Sequence, residues 1–417
     1  MTAQTNSLRS DARVIGLIGL AHGLSHLFQL TLPPLFPYLK EEFGVSYAEL
    51  GLLMAVLYGV SGVSQALAGF VVDRLGARRV LMLGLGLLAT AAALASVAHS
   101  YAMLAIGAGL IGLGNSVFHP ADFSILNLKV SHRRLGHAFS VHGMSGNLGY
   151  ATAPVLFLAI SSASSWRVAL LVAVVAALLM FGLVWSQRAR LDDELHAHVG
   201  GGLDAGRPAR LLRFPSTSLA SLLNGAVVSC FFFFIFSAFA GIGAQNFAPS
   251  LLTAIYAVSP LVAATMLTGF LASGAGGMIL GGFLASGTAR HDIVAAAGSA
   301  GGAAIFVLLA SGMASPAPLF LLMCGGGFVV GLVNPSRDML ARQVAPKGAT
   351  GRVFGIVYSG VDVGAAVGPA LLGWLLDHGH PQWAFVTLGI ALCVNVALAL
   401  GARQTAGARL AVERPAG

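Results

Sequence analysis

Residues 69–79 read Gly-Phe-Val-Val-Asp-Arg-Leu-Gly-Ala-Arg-Arg. Four charged residues, Asp73, Arg74, Arg78 and Arg79, crowd into this short stretch, and directly after it Val80–Ala121 contains no Asp, Glu, Lys or Arg. Such a cluster between uncharged runs reads as a turn joining two membrane helices, here near 47–72 and 80–98. Val14–Leu39, Leu135–Trp166, Phe214–Ala289 and Ile293–Ser336 are equally free of charge. A spanning helix needs about 20 apolar residues, so the longer runs hold two spans and a short hairpin. Charged residues are 9% of the chain and hydrophobic residues 57%, with a mean hydropathy of +0.84. Soluble domains carry about 25% charge. The chain therefore reads as an all-α polytopic membrane protein. Its spans fall near 14–38, 47–72, 80–98, 101–127, 138–161 and 166–186, then 217–241, 258–286, 293–312, 317–341, 352–376 and 383–402.

The net charge of +8 is explained by topology rather than by nucleic acid. With the first helix starting inside, 20 of the 23 lysines and arginines fall on one side, while Lys40 and Arg167 fall on the other and Arg337 lies within a helix. This is the positive-inside asymmetry. It predicts cytoplasmic termini and a multi-pass protein of the inner (plasma) membrane, with the lipid bilayer and a small-molecule substrate as partners and a monomer as the working unit. The polar start, Met1–Asp11, leads straight into a span, so no cleaved signal is expected. Cys230, Cys324 and Cys393 are isolated in apolar stretches and suggest neither a metal site nor a disulfide.

The two sets of six spans are repeats. Gly136-His137-Ala138-Phe139 matches Gly351-Arg352-Val353-Phe354 at an offset of 215, which also pairs Gly112 with Gly327, Pro120 with Pro335, Gly149 with Gly364 and Pro154 with Pro369. Earlier, Val45-Ser46 and Gly69-Phe70 match Val258-Ser259 and Gly282-Phe283 at 213. Duplicated helical sets are a common construction of secondary transporters. The expected organisation is an N-terminal bundle over 1–186, a cytoplasmic linker over 187–214 and a C-terminal bundle with a tail over 215–417.

The turn at Gly69, Asp73, Arg74, Gly76, Arg78 and Arg79 resembles the signature loop of the major facilitator superfamily, and the resemblance covers essentially the whole chain. It implies two pseudo-symmetric six-helix bundles, and a latch at Asp73, Arg74 and Arg78 that holds the cytoplasmic ends together when the outer side is open. The second copy of the loop is eroded, with Ser286 in the place of Asp73. Ser116-Val117-Phe118-His119-Pro120, Gly146-Asn147-x-Gly149 with Pro154, and His22 with Leu27-x-Gln29 and Pro37-Tyr38-Leu39 are similar to the fosmidomycin-resistance branch. This chain departs from that branch in having His26 and Ala121 where acids are usual. Ser145-x-x-x-Gly149-x-x-x-Ala153-Pro154 and Gly360-x-x-x-Gly364-x-x-x-Gly368-Pro369 form small-residue stripes that permit backbone-close packing. They are read either as the interface between the halves, where spans five and eleven would meet, or as ordinary packing.

Ionisable groups inside apolar spans are costly and point to function. His22 and His26 share one face of span one. His119 and Asp122 lie in span four, His142 and Asn147 in span five, Arg337 and Asp338 in span ten, and Asp362 in span eleven. By the resemblance, His22, His26, His119 and Arg337 face a central cavity. Histidine titrates near pH ~6.5, so His22 or His26 can carry a coupling proton while Arg337 attracts an anion; the alternative is hydrogen bonding between helices. Asp122 and Arg337 occupy equivalent repeat positions and suggest an inner gate pair; the alternative is local pairing, Asp122 with the Arg78 loop and Arg337 with Asp338. Asn224 and Gln245 are further cavity candidates, and Glu41, Glu42 and Glu49 read as solvated.

The expected function is proton-coupled efflux of a small organic molecule or drug by alternating access, driven by the proton gradient without a bound cofactor. Proton-symport uptake of an organic anion is the nearest alternative. A channel or a membrane-embedded enzyme is the rival from another class. An enzyme would require a clustered catalytic set, and ATP-driven pumping a phosphate-binding loop; the sequence displays neither.

Overall fold

A computed structural model describes residues 8–191, 225–344 and 350–412. The linker expected over 187–214 lies outside the described residues beyond Leu191, as does Asn224. The first half comprises α1 (Leu8–Gln29), α2 (Phe36–Phe43), α3 (Tyr47–Leu75), α4 (Ala77–Ser96), α5 (Tyr101–Asn115), α6 (Phe118–Lys129), α7 (Leu135–Ala163), α8 (Trp166–Ser186) and the short α9 (Arg188–Leu191). The second comprises α10 (Gly225–Tyr256), α11 (Pro260–Gly287), α12 (His291–Ala310), α13 (Pro316–Val344), α14 (Thr350–Asp377) and α15 (Pro381–Val412). Eleven stretches among the described residues are long and apolar enough to cross a membrane. The twelfth span is α7, whose 29 residues include His137, His142 and Asn147. The fold is thus all-α, with twelve transmembrane helices in two six-helix bundles.

Three spans differ from their expected outlines. Span one breaks after Gln29, where Pro33-Pro34 opens a short 3-10 turn before α2; proline lacks the N–H that would continue the helix. Span four breaks between α5 and α6 at Ser116-Val117, four residues ahead of the missing N–H of Pro120. Span seven runs on to Tyr256 rather than stopping near 241, because no charge or turn residue cluster interrupts it until Ala257. There the backbone turns left-handed (φ 52°), and Ser259 caps α11 by accepting from Val262 N.

The repeats pack alike. A Cβ on Gly112 of α5 would overlap the Leu57 carbonyl oxygen of α3, and one on Gly327 of α13 would overlap that of Phe270 on α11. These are the same two contacts displaced by 215 and 213 residues. The small-residue stripes serve this packing inside each half. Gly149 of α7 lies against Gly23 of α1, and Gly364 of α14 against Ile235 of α10. The expectation that the stripes form the interface between halves, with spans five and eleven together, is therefore corrected: each stripe faces a helix of its own bundle.

The seam between halves is built instead from α3 against α14 and α7 against α11. At one end it is shut. Asp377 accepts from Tyr47 N and Ala48 N, Phe36 packs on Phe247, and Thr268 Oγ1 donates to Ala151 O at 2.8 Å. At the other end, which carries the Asp73 turn, the halves diverge. Val63, Leu67 and Phe70 of α3 are exposed. A groove of about 500 Å³ opens between α7 and α11, lined by Phe139, Asn147, Met278 and Phe283 among others. These ends are called the Asp377 face and the Asp73 face below. Glu42 and Glu49 are not merely solvated. Glu42 accepts from Trp166 Nε1 at 2.5 Å and pairs with Arg167, and Glu49 completes a capping box with Ser46.

Candidate functional site

Three helices of the first half bring their polar residues to one point. α1 presents His22 and His26 one turn apart, the broken span four presents His119 and Asp122 from α6, and α7 presents His142. Asp122 is fully buried, and His22 and His142 are 2% and 3% exposed. His142 Nε2 is hydrogen-bonded to Asp122 Oδ2 at 3.1 Å. His22 Nδ1 lies 3.2 Å from the same oxygen, off the hydrogen-bonding direction. The His22 and His142 rings stack at 3.5 Å, and His26 and His119 sit 4.4 and 4.9 Å from His22. Neither ring nitrogen of His26 has a hydrogen-bond partner among the described residues. A buried polar atom left in that condition costs about 1–3 kcal/mol, so the cluster is held at an energetic cost by the packing around it. Gly146 permits the approach: a Cβ there would come within 2.9 Å of His26 and 3.1 Å of His22.

The charge of this cluster sets what it can do. With every imidazole neutral and Asp122 ionised, a bare negative charge sits in the bundle, which is strongly unfavourable. One added proton makes the cluster neutral. Two would place positive charge on imidazoles packed ring to ring. The arrangement therefore favours one exchangeable proton belonging to the group as a whole. Donor atoms of His22, His26 and His119 lie within 4.8 Å of one another, as do those of His22, Asp122 and His142. His22 belongs to both sets. The His22 and His142 rings lie 21° from parallel, and each presents a nitrogen to the one Asp122 oxygen, at 3.2 and 3.1 Å.

A second polar chain runs beside the cluster. Tyr150 O–H donates to Gln29 Oε1 (2.6 Å), Gln29 Nε2 to Asn115 Oδ1 (2.8 Å) and Asn115 Nδ2 to Ser61 Oγ (3.2 Å). It ties α7, α1, α5 and α3 together, and the Tyr150 ring lies 4.4 Å from that of His26. Ser61, Asn115 and Tyr150 are absent from the residues singled out by sequence. The signal that could have found them is Asn115, a lone amide in the otherwise apolar run before Ser116. Gln29→Leu is expected to cost about 1–3 kcal/mol, because both neighbours lose a buried partner; thermal unfolding in detergent measures it.

The other sequence-chosen residues lie elsewhere. Asn147 stands at the α7–α11 groove, donating to Gly143 O at 3.2 Å. Asp362 lies on the seam over α3, where a Cβ on Gly62 would come within 2.5 Å of its carboxyl carbon. Arg337 pairs with Asp338 (3.1 Å) and lies over the Phe234 ring at 4.5 Å, with Tyr358 at 5.9 Å. The suggested gate pair of Asp122 and Arg337 is not formed in this structure: Asp122 meets histidines of its own half, and Arg337 makes the alternative local pair with Asp338. Nor does Asp122 join the Arg78 loop. Equivalent positions in the two repeats point into separate bundles, so symmetry in sequence does not make them neighbours. In the signature turn, Gly76 is left-handed (φ 84°). Asp73 and Arg74 are exposed and Arg78 half-buried, and a Cβ on Gly69 would meet nothing within 4 Å. Gly69 thus makes no close helix contact here, as befits a face that stands open.

Comparison with known proteins agrees with this architecture. The fosmidomycin resistance protein of Escherichia coli (strain K12) is 26% identical over 383 residues, covering 90% of this chain and 89% of that protein. The cis,cis-muconate transport protein of Acinetobacter baylyi is 22% identical over 362 residues, covering 85% and 84%. In fold, the chain matches the inward-facing, occupied crystal structure of a bacterial homologue of the human lysosomal transporter Spinster. The TM-score is 0.75 at 14% identity, over 96% of this chain and 98% of that one. The family model of the Major Facilitator Superfamily matches residues 18–242 and 230–415. With the duplicated bundles, the Asp73 turn and this match over nearly its whole length, the chain belongs to the Major Facilitator Superfamily of membrane transporters.

Proposed function

We propose that this transporter exports a small organic molecule by alternating access, driven by protons entering through the His22–Asp122–His142 cluster. The observation that carries the reading is the Asp122 carboxylate, fully buried and within 3.2 Å of two stacked imidazoles. A group that is neutral with one proton and charged without it is a natural coupling element, since its charge must be compensated at each half-cycle. His119 and His26 extend the cluster through ring contacts with His22. The Asp73 face is the cytoplasmic one by the positive-inside rule, in the inner membrane, and the structure is then open inward.

Efflux is supported by the similarity to a fosmidomycin resistance protein. The test is a panel in cells with and without this chain: growth inhibition by fosmidomycin, and accumulation of labelled fosmidomycin and cis,cis-muconate with and without a protonophore. Lower accumulation that the protonophore reverses supports efflux. Accumulation unaffected by this chain for every compound, in a wider set of phosphonates and carboxylates as well, contradicts it.

A second reading, uptake of an organic anion by proton symport, is favoured by Arg337, a cation held over two aromatic rings inside the second half. Arg337→Ala is expected to lower transport of carboxylates and phosphonates by about tenfold or more, the value of one charge-assisted bond, and to leave neutral compounds unaffected. Competition by a graded series of anions measures it.

A further inference from the structure

Asp377 is the last residue of α14, and its carboxylate reaches across the seam to the start of α3. Oδ1 accepts from Tyr47 N at 2.9 Å, and Oδ2 from Ala48 N at 2.8 Å. Lys40 Nζ lies 3.4 Å from Oδ1. Tyr47 and Ala48 open α3, where backbone amides have no partner within the helix and the helix dipole favours negative charge. The next amide, of Glu49, is already taken by Ser46 Oγ at 3.1 Å. The first turn of α3 is therefore capped from two sources, one in its own half and one in the other.

The surroundings make this a closed contact. A Cβ on Gly373 would overlap the Tyr47 carbonyl oxygen, and one on Gly51 would overlap that of Pro369. α3 and α14 touch backbone to backbone, and Phe247 of α10 packs against Phe36 and Tyr47 at 5.3 and 6.3 Å. α3 and α14 run antiparallel across the seam, so the acid ending each helix is level with the start of the other. Asp377 occupies that position on the shut face. Asp73, in the last turn of α3, occupies it on the open face, where it is exposed.

Resting on the alternating-access reading, we infer that Asp377 is the latch of its face: its two bonds to Tyr47 N and Ala48 N hold the Asp377 face closed. They must break before that face opens, while the halves close at Asp73. Lys40, 40% exposed, trims the charge of the latch and contributes little to its strength.

The test uses the full chain with Cys230, Cys324 and Cys393 replaced by Ser. One pair of spin labels at Glu41 and His380 reports the Asp377 face, and another at Arg133 and Ser286 the Asp73 face. Pulsed dipolar distances are recorded in nanodiscs without ligand. Asp377→Ala is expected to raise the ratio of open to closed Asp377 face by about tenfold or more, the effect of losing a helix cap made by a charged group. Distances at the other pair shorten reciprocally. Asp377→Asn, whose single carbonyl can serve only one of the two amides, falls between, and Lys40→Ala moves the ratio less than about threefold. A purely structural role would lower thermal stability without changing the ratio. If the parent shows two exchanging populations and neither Asp377 variant shifts them, the latch is refuted. Should Asp377→Ala fail to fold, Asp377→Asn alone decides. If no variant, Asp73→Ala included, shows reciprocal change at the two pairs, alternating access itself is what fails.

Discussion

Asp122→Asn is expected to abolish gradient-driven transport while leaving substrate exchange across the membrane nearly intact. The substitution keeps the shape of the side chain and a hydrogen bond to His142, now 3.1 Å from Asp122 Oδ2, so the packing of α1, α6 and α7 survives. It removes the only carboxylate of the cluster. The neutral cluster then exists without an added proton, and taking one up creates an uncompensated buried cation. Removing one partner of a buried pair costs about 3–5 kcal/mol. At about 1.4 kcal/mol per tenfold, even the lower figure corresponds to a loss of roughly 100-fold in proton-driven flux. Exchange needs the halves to rock with substrate bound but no net proton movement, so it is spared. The wild type should respond to an imposed pH gradient, and the variant should be flat. Measurement of both modes in one proteoliposome preparation checks this, because a folding defect would depress them together.

Gly149→Leu should have the largest effect on folding. Gly149 of α7 faces the Gly23 carbonyl oxygen of α1, and a Cβ there would overlap it. Backbone cannot step aside as a flexible side chain can, so α1 and α7 must separate along the line where His22 meets His142 and His26 meets Tyr150. Overpacking of a well-filled core costs about 1–3 kcal/mol and sometimes more; with backbone as the obstacle the upper end applies, which for marginally stable proteins is a large share of the total. The control is Gly16→Leu on α1, where a Cβ meets nothing within 4 Å and leucine is the better helix former. The midpoint temperature for loss of monodisperse protein in detergent should fall sharply for Gly149→Leu and stay unchanged for Gly16→Leu. Equal behaviour of the two would mean that the contact between α1 and α7 is not as close as described.

Much of the architecture was legible because the bilayer constrains sequence so strongly. Charge-free runs of fixed length, positive charge on one side and matching glycines in the two halves all follow from placing helices in lipid. What could not be read was local or mutual. The breaks in spans one and four depend on the missing N–H groups of prolines that are often tolerated in membrane helices. The partner of a glycine stripe is invisible from the stripe alone, and Gly149 and Gly364 turned out to face their own bundles. His22 and His26 read as sharing one face and, by the resemblance, one cavity with His119, but the joining of His142 and Asp122 to them depends on how α6 and α7 pack beside α1. Asp122 was read as a gate from its repeat position opposite Arg337, because sequence symmetry says nothing about which way a side chain points. Asp377 falls just past the expected end of span eleven and is not singled out by sequence, and its partners Tyr47 and Ala48 are about 330 residues away.

The central claim is that this is a proton-driven carrier whose coupling proton resides on the Asp122 cluster. The most direct measurement is counterflow against gradient-driven transport in proteoliposomes, with wild type and Asp122→Asn, using a labelled compound from the panel that the chain carries. The account predicts that both proteins concentrate labelled compound against an excess of unlabelled compound, and that only the wild type responds to a pH gradient. A variant still driven by the gradient at the wild-type rate would contradict the assignment of the proton, and wild-type flux without counterflow would contradict the carrier.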